Sequence, residues 1–457
     1  MIKGKETCLE LAGKVAEEAL KLGATQAEVR LMNSTSYLTR FAGSTIHQNV
    51  GEADTNLILK FILGKRISTV SCSDTSPESV KGLVEKGYKV AKVLDEDPDF
   101  VSLPQPQPIS DIRGLFVKET AECTPDTRAE MVKALIDEAH SLSPKVKEVA
   151  GALTTTSGEL AVVNSLGVNA YARATSVDLD TTIIAREAEV EGFGTAGDVS
   201  RNIKDLNPAN VGREAAERSV GSLGAKTIDV GEYEVVFEPY VVAQALGYLS
   251  SGFSAQSYQD GTSWMCDLMG QKVFSEQFTL WDDGRDRSGL AFPFDMEGIP
   301  KRKLVLIEEG VPKAVVYDSY TAHKDKEKST GHAGGRGLGG MGSMPSHLIM
   351  KRGDSTKEEM IQETKKGVLV TNFWYVRTVH AKRVVITGMT RDGTWLIEKG
   401  EIKYPLKDLR FTDSLLKTFA NLDLIGKEGK RMGAGPYGGV VVPAIRAKTF
   451  LFTGQKP

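Results

Sequence analysis

The chain has little cysteine, and the few cysteines present lie far apart. Its 457 residues include four cysteines, and no two of them form a C-x-x-C pair. Zinc knuckles and thioredoxin-like redox pairs require such local spacing, so neither can be built here. We predict buried, reduced thiols that act as small hydrophobic side chains at Cys8, Cys72, Cys123 and Cys266.

The chain also lacks an excess of positive charge and any long apolar run. Its formal net charge is −3, which leaves no basic surplus to neutralise a phosphate backbone, so direct binding to nucleic acid is not expected. No stretch of about 18 apolar residues occurs, and the first residues do not resemble a secretory signal. We therefore expect a cytoplasmic protein without a membrane segment.

The length indicates two or three domains and permits two large ones, and the pattern of elements predicts an α+β fold. Helical and strand patterns alternate as far as residue 222, which predicts an N-terminal α+β domain with a largely antiparallel sheet over residues 1–225. Short β-rich runs separated by Gly, Asp and Pro follow, and they predict a β-rich, barrel-like or sandwich-like C-terminal domain over residues 226–457.

Local signals place several elements in the first half. Ser76-Pro77 and Asn207-Pro208 are typical helix starts, because Ser or Asn can cap a helix and Pro is tolerated at its first position. A further helix is predicted from Pro125. Strands are predicted over AEVRL, SYLTRF, LILKFIL and ISTVSC.

Residues 330–342 read TGHAGGRGLGGMG and contain the letters of a dinucleotide-binding loop, G-x-G-x-x-G, at 335–340. Such a loop needs a strand before it and a helix after it, so that amides at the helix start can hold the pyrophosphate. The flanks HKDKEKST and MGSMPSH provide neither, and no G-K-[ST] is present. A nucleotide site is therefore not predicted.

Conventional hydrolytic motifs are absent too. None of the six histidines begins H-E-x-x-H. Three histidines surround the glycine-rich loop, His323, His332 and His347, and a metal site built from them is a possibility that we rank below solvated or singly hydrogen-bonded loop histidines. Acidic pairs at 282–283 and 295–297 precede glycines, which favours turns over acid–base chemistry.

An ordered series of segments nevertheless resembles the TldD/PmbA family, which is known both as modulators of DNA gyrase and as zinc metallopeptidases. In the second half these are VVFEP, WDDG, FDMEGIPKRKLVLIEEGVPKAVVYDSYTAHKDKEKSTGH, GVLVTN, WLIEKGEIKYPLKDL and IGKEG. Weaker similarity in the first half involves GATQAEVRL and SPESVKGLVEKGYKVAKVLDEDPDF. The resemblance thus spans nearly the whole chain.

The resemblance also implies a zinc site that this chain lacks. In the TldD branch, a helix carries His-Glu-x-x-x-His, and a Cys precedes a Gly-Lys-Glu-Gly-like segment. The corresponding positions here are Ala243, Gln244, Tyr248 and Ile425. Ala and Ile cannot bind zinc, protonated Tyr is a poor ligand, and Gln cannot act as a base. We therefore expect no catalytic residue and no cofactor in this chain.

This pattern resembles the PmbA branch, also called TldE, and implies a non-catalytic subunit. A TldD-type partner, or a second copy of this chain, would complete a chamber for unfolded peptides, and the partner would supply the zinc. The candidates for the chamber wall are His332, Gly335, Arg336, Gly337 and Gly340. Two alternatives stay open: a stand-alone hydrolase with a metal at His323, His332 and His347, and a regulatory protein that modulates gyrase.

Overall fold

The computed structural model describes residues 2–337, 340–433 and 435–455. It is an α+β structure, as the sequence predicts, with one large sheet in each half of the chain. Within the described residues, no helix combines the length and the apolar character needed to cross a membrane.

The first half is built on a six-stranded antiparallel sheet with the order β3-β2-β1-β4-β5-β6. The strands are β1 (Gln26–Ala42), β2 (Thr45–Leu63), β3 (Arg66–Cys72), β4 (Val146–Asn164), β5 (Asn169–Glu187) and β6 (Val190–Ser200). The helices are α1 (Lys5–Lys21), α2 (Pro77–Val93), α3 (Lys118–Ala121), α4 (Pro125–Leu142) and α5 (Pro208–Gly221). Apolar clusters between helices and sheet form the core of this half.

The structure confirms the helix starts that local signals in the sequence predict. The side chains of Ser76, Thr124 and Asn207 each accept a hydrogen bond from a backbone N–H in the first turn, and each is followed by Pro. In contrast, AEVRL and SYLTRF are not separate strands, because β1 runs through both without interruption.

The second half contains an eleven-stranded mixed sheet and a short two-stranded ribbon. The sheet strands are β7 (Gly231–Phe237), β8 (Leu280–Asp282), β9 (Leu304–Glu308), β10 (Val311–Pro312), β13 (His347–Met350), β14 (Lys366–His380), β15 (Val385–Glu398), β16 (Glu401–Pro405), β17 (Leu409–Ser414), β18 (Leu422–Met432) and β19 (Gly439–Gln455). The ribbon consists of β11 (Ala333–Gly337) and β12 (Gly340–Ser343). The helices are α6 (Pro239–Ser250), α7 (Ala255–Gln259), α8 (Ser319–Asp325), α9 (Lys357–Glu363) and α10 (Leu415–Ala420).

Five of these strands close on themselves, which accounts for the barrel-like character predicted for this half. The sheet runs β19-β17-β15-β14-β7, and β7 pairs again with β19. Phenylalanine rings fill the space between the strands, with ring centroids 4.2 Å apart for Phe373 and Phe411 and 5.0 Å apart for Phe237 and Phe450. Helix α6 follows β7 directly and packs against β14 and β19.

The two halves are in contact through an apolar cluster. Phe292 and Phe294 from the second half pack with Val162, Val168 and Ala170 of the first sheet. The division into domains at 225/226 remains a prediction.

Candidate functional site

One face of α6 is partly exposed, and it carries the positions that the resemblance assigns to the zinc motif. The opposite face, which consists of Val241, Val242, Ala245, Leu246 and Leu249, is buried in the core. A helix repeats every 3.6 residues, so positions spaced by three and four share a face. We call the partly exposed set the α6 stripe: Tyr240, Ala243, Gln244, Gly247 and Tyr248.

Two polar side chains of the α6 stripe form hydrogen bonds with β14. The Gln244 side-chain amide donates a hydrogen bond to Asn372 Oδ1 over 2.8 Å, and the Tyr248 hydroxyl donates to the carbonyl of Val376 over 3.0 Å. Both bonds tie the helix to the same stretch of strand.

The donor set at these positions does not fit a zinc ion. Ala243 ends in a methyl group, and Ile425 lies in β18 with its side chain buried in the apolar core. Gln244 and Tyr248 use their polar atoms in the bonds to β14. Zinc in proteins is held by thiolate, imidazole or carboxylate groups, and none of the four side chains supplies one.

A cavity of about 880 Å³ opens beside the first turn of α6 and is lined by both halves of the chain. Its wall contains a network of charges centred on Glu238, which is buried at the start of α6. Glu238 forms an ion pair with Arg218 of α5 and another, at 3.2 Å, with Lys357. Arg218 also contacts Glu214 at 2.7 Å, and Lys430 lies 3.4 Å from Glu214.

The network keeps Glu238 ionised. Burial by itself would raise the pKa of this carboxyl, but the positive charges of Arg218 and Lys357 outweigh burial, and the pKa is lowered. Sequence reasoning did not single out Glu238. The signals in the sequence are its place in the segment VVFEP and its position directly before Pro239 at the start of a helix.

His332 and His347 lie together around Asp282. His332 Nε2 is 3.0 Å from Asp282 Oδ1, and its Nδ1 is 2.9 Å from the Thr330 hydroxyl. Asp282 Oδ2 accepts hydrogen bonds from the backbone N–H groups of Ser346 and His347. Both histidines are buried, so neither is a solvated loop histidine, and the hydrogen bond to Thr330 makes the ring of His332 singly hydrogen-bonded.

Burial and charge act in opposite directions in this cluster. Burial raises the pKa of Asp282, but the charge and hydrogen bond of His332 and the charge of Lys301 prevail and lower it. Burial lowers the pKa of His347, which favours the neutral ring.

His323 does not complete a metal site with the other two histidines. It lies in the last turn of α8. Across residues 2–337, 340–433 and 435–455, no three His, Cys, Asp or Glu side chains are grouped so that they could hold a metal ion. His332, His323 and His347 are also absent from the wall of the large cavity.

The glycine-rich segment forms the ribbon of β11 and β12, in which Arg336 pairs with Met341 and Gly337 with Gly340. The base of the ribbon is held by Asp295, whose Oδ2 accepts a hydrogen bond from the N–H of Ala333. Leu338 and Gly339, also within the predicted loop, lie outside the described residues. Whether Gly335, Arg336, Gly337 and Gly340 line a chamber stays a prediction.

The acidic pair at 295–297 has the predicted turn geometry. Asp295 Oδ1 accepts hydrogen bonds from the N–H groups of Glu297 and Ile299. Unlike most turn carboxyls, both side chains are buried, and burial raises the pKa of each.

Comparison with known proteins places these features in a family. Residues 118–223 match the PmbA/TldA metallopeptidase central domain, and residues 230–454 match the PmbA/TldA metallopeptidase C-terminal domain. The chain is 24% identical over 450 residues to Metalloprotease PmbA of Escherichia coli O157:H7, covering 96% of this chain and 97% of that protein. It is 26% identical over 313 residues to a Metalloprotease TldD homolog of Buchnera aphidicola, covering 64% of this chain and 63% of that protein.

Solved structures share the fold. TldE from Thermococcus kodakarensis superposes with a TM-score of 0.89 at 22% identity, covering 97% of this chain and all of that one. A candidate modulator of a DNA gyrase from Thermotoga maritima superposes with a TM-score of 0.85 at 19% identity, covering 97% of this chain and 99% of that one. The family matches and the shared fold agree with the resemblance seen in the sequence, and the chain belongs to the PmbA/TldD family of metallopeptidase-like proteins.

Proposed function

We propose that this chain is the non-catalytic subunit of a TldD/TldE-type zinc-dependent peptidase complex that processes unfolded peptides in the cytoplasm. The observation that carries the proposal is the chemistry of the α6 stripe. At the zinc-motif positions of this stripe, Ala243 ends in a methyl group, and Gln244 and Tyr248 use their polar atoms in bonds to β14. In this proposal, a TldD-type subunit supplies the zinc, and this chain supplies part of the surface that binds the peptide.

The existence of TldD homologues among its relatives supports a partner of that kind. A surface built for a homologous subunit can also pair with itself, so we expect a homodimer when the partner is absent. The ribbon of β11 and β12 is our candidate for the part of the chamber wall contributed by this chain.

The test is to purify the chain alone and together with a homologue from the same organism that carries His-Glu-x-x-x-His. We expect a stoichiometric complex that contains zinc and cleaves an unfolded protein such as casein, and we expect neither zinc nor cleavage with the single chain. The matched control is the same complex in which the first motif His of the homologue is replaced by Ala. This control should retain assembly and lose cleavage.

The stand-alone hydrolase and the gyrase regulator make different predictions for the same preparations. Cleavage by the single chain that a chelator abolishes would contradict the subunit proposal and favour a metal near His332 and His347. A change in gyrase supercoiling caused by the single chain, without any homologue, would favour direct regulation.

A further inference from the structure

Two neighbouring aromatic rings on β14 are exposed on the same side of the strand. Trp374 and Tyr375 have 49% and 65% of their surfaces exposed. Consecutive side chains of a regular strand point to opposite faces, yet these two rings lie with centroids 5.5 Å apart. The cause is a bulge between Trp374 and Arg377, where Tyr375 adopts a left-handed backbone with φ of 54°.

Each ring is accompanied by an arginine. The guanidinium carbon of Arg377 lies 4.4 Å from the centroid of the Tyr375 ring, and that of Arg391 lies 4.5 Å from the centroid of Trp374. Such contacts fix both the ring and the cation in place. We call these four residues, Trp374, Tyr375, Arg377 and Arg391, the aromatic ledge.

In the strand hairpin that carries the aromatic ledge, every Lys, Arg, Asp or Glu side chain is a positively charged one. Residues 371–391 contain four Lys or Arg and no Asp or Glu, although the whole chain has a net charge of −3. Arg391 is partly neutralised by Asp392, whose Oδ1 is 3.3 Å from its Nε. Arg377 donates a hydrogen bond from Nη1 to the carbonyl of Val376 over 2.9 Å, but no carboxylate among the described residues lies within ion-pair distance, so its charge is not neutralised.

The aromatic ledge adjoins the α6 stripe. Asn372, which bonds to Gln244, lies two residues before Trp374 and therefore on the same face of the strand. Pairing between β14 and β7 ends at Val370, and among the described residues no other strand pairs with that edge of β14 beyond this point. One carbonyl on this stretch, that of Val376, already accepts hydrogen bonds from Tyr248 and Arg377.

We propose that the aromatic ledge binds an extended acidic segment of a polypeptide. Apolar or aromatic side chains of the segment would rest on Trp374 and Tyr375, and its carboxylates would meet Arg377 and Arg391. The open strand edge favours a polypeptide over a nucleic acid, because an extended backbone can add to it through hydrogen bonds. This inference rests on the proposed role in peptide binding and specifies the class of peptide.

The test measures binding to the isolated full-length chain. The probe is a short fluorescein-labelled peptide of alternating Glu and Val, and the comparison probes are its Gln-for-Glu counterpart and oligothymidylate. We expect the acidic peptide to bind most tightly, with an affinity that falls as salt is added. Trp374→Ala should weaken binding at least about fivefold, because exposed aromatic anchors carry much of the energy of such contacts.

Arg377→Gln provides a second variant, which removes the charge of an exposed side chain and keeps a polar group beside Tyr375. It should weaken binding about threefold to fivefold and reduce the dependence on salt. The matched controls lie on α2: Val93→Ala removes an apolar side chain that is 81% exposed, and Lys89→Gln removes one exposed positive charge. Both controls should bind the acidic peptide as the unmodified chain does.

Equal binding of the acidic and Gln peptides, unchanged affinity in both variants of the aromatic ledge, or tighter binding of oligothymidylate would overturn the inference. Its failure can be told apart from failure of the proposed function. A complex that cleaves acidic peptides normally with Trp374→Ala refutes the role of the aromatic ledge and leaves the subunit role intact. A chain that binds the acidic peptide through Trp374 but forms no complex supports the aromatic ledge and refutes the subunit role.

Discussion

Replacement of Glu238 by Gln tests how the two halves of the chain are held together at the large cavity. Glu238 stands at the start of α6, and its partner Arg218 lies in α5 of the first half. Gln preserves the size of the side chain and removes only the charge. We expect the variant to fold and to be less stable.

The expected loss follows from the burial of the pair. Breaking a buried ion pair by neutralising one partner typically costs about 3–5 kcal/mol, because the other charge stays buried without its partner. Arg218 retains Glu214 at 2.7 Å, so we place the loss at or just below the lower end of this range, at about 2–3 kcal/mol. Lys357 adds little, since its side chain is 46% exposed and water already solvates it.

The loss should depend on pH in a defined direction. The pKa of Glu238 is lowered in the folded chain, so its contribution is present above the unfolded pKa of about 4.3 and disappears as the pH falls through the folded value. Urea unfolding followed by circular dichroism should therefore show the full difference in the free energy of unfolding at neutral pH and a smaller difference in acid.

The control is Glu428→Gln, which changes an exposed carboxyl in the same cavity wall and should change the free energy of unfolding by less than about 0.5 kcal/mol. Equal losses in the two variants, or a difference that does not change with pH, would refute the reasoning.

Two further predictions concern the buried surface between the halves. Gly298→Ala should lower the free energy of unfolding by about 2–4 kcal/mol, because an added Cβ would lie 2.6 Å from Val168 Cγ1 and the residue has φ of 73°. Gly270→Ala, with φ of 76° and open space around it, should lose only about 1 kcal/mol in the same urea assay; similar losses would show that packing against Val168 is unimportant. Glu297→Gln should make the protein more stable than the unmodified chain at alkaline pH and little different near pH 5: burial raises the pKa of this carboxyl, so the folded state resists its ionisation as the pH rises. Thermal unfolding at the two pH values checks this, and a variant less stable at both would contradict it.

Local signals in the sequence predict local structure well. The caps at Ser76 and Asn207 identify two helices correctly, because a cap is a bond between a side chain and a backbone group three residues away. The division of β1 into two strands fails for the opposite reason. Asn33 resembles a turn residue, yet it is paired with Thr55 on one side and Glu159 on the other, and those distant partners keep the strand continuous.

The candidate site shows the same limit. The absence of zinc donors at Ala243 and Ile425 can be read from the sequence, since it depends only on residue type. The contact between His332 and Asp282 cannot be predicted from residue type. The two residues are 50 positions apart in the sequence, and only the fold brings them together. The aromatic ledge lies between these cases: its composition is visible in the sequence, but the bulge at Tyr375 that places both rings on one side is not.

Small residues in the α6 stripe leave space beside the helix. Helix α6 has the small side chain of Ala243 and no side chain at Gly247, where a Cβ would meet nothing within 4 Å. A helix face that had lost all use could be covered by larger apolar residues, which would bury additional surface at about 25 cal/mol per Å². Instead, Gln244 and Tyr248 use their polar groups to fix the helix against β14 and leave the space beside it free. An open helix face held in place by these two bonds is what the proposed peptide-binding role requires.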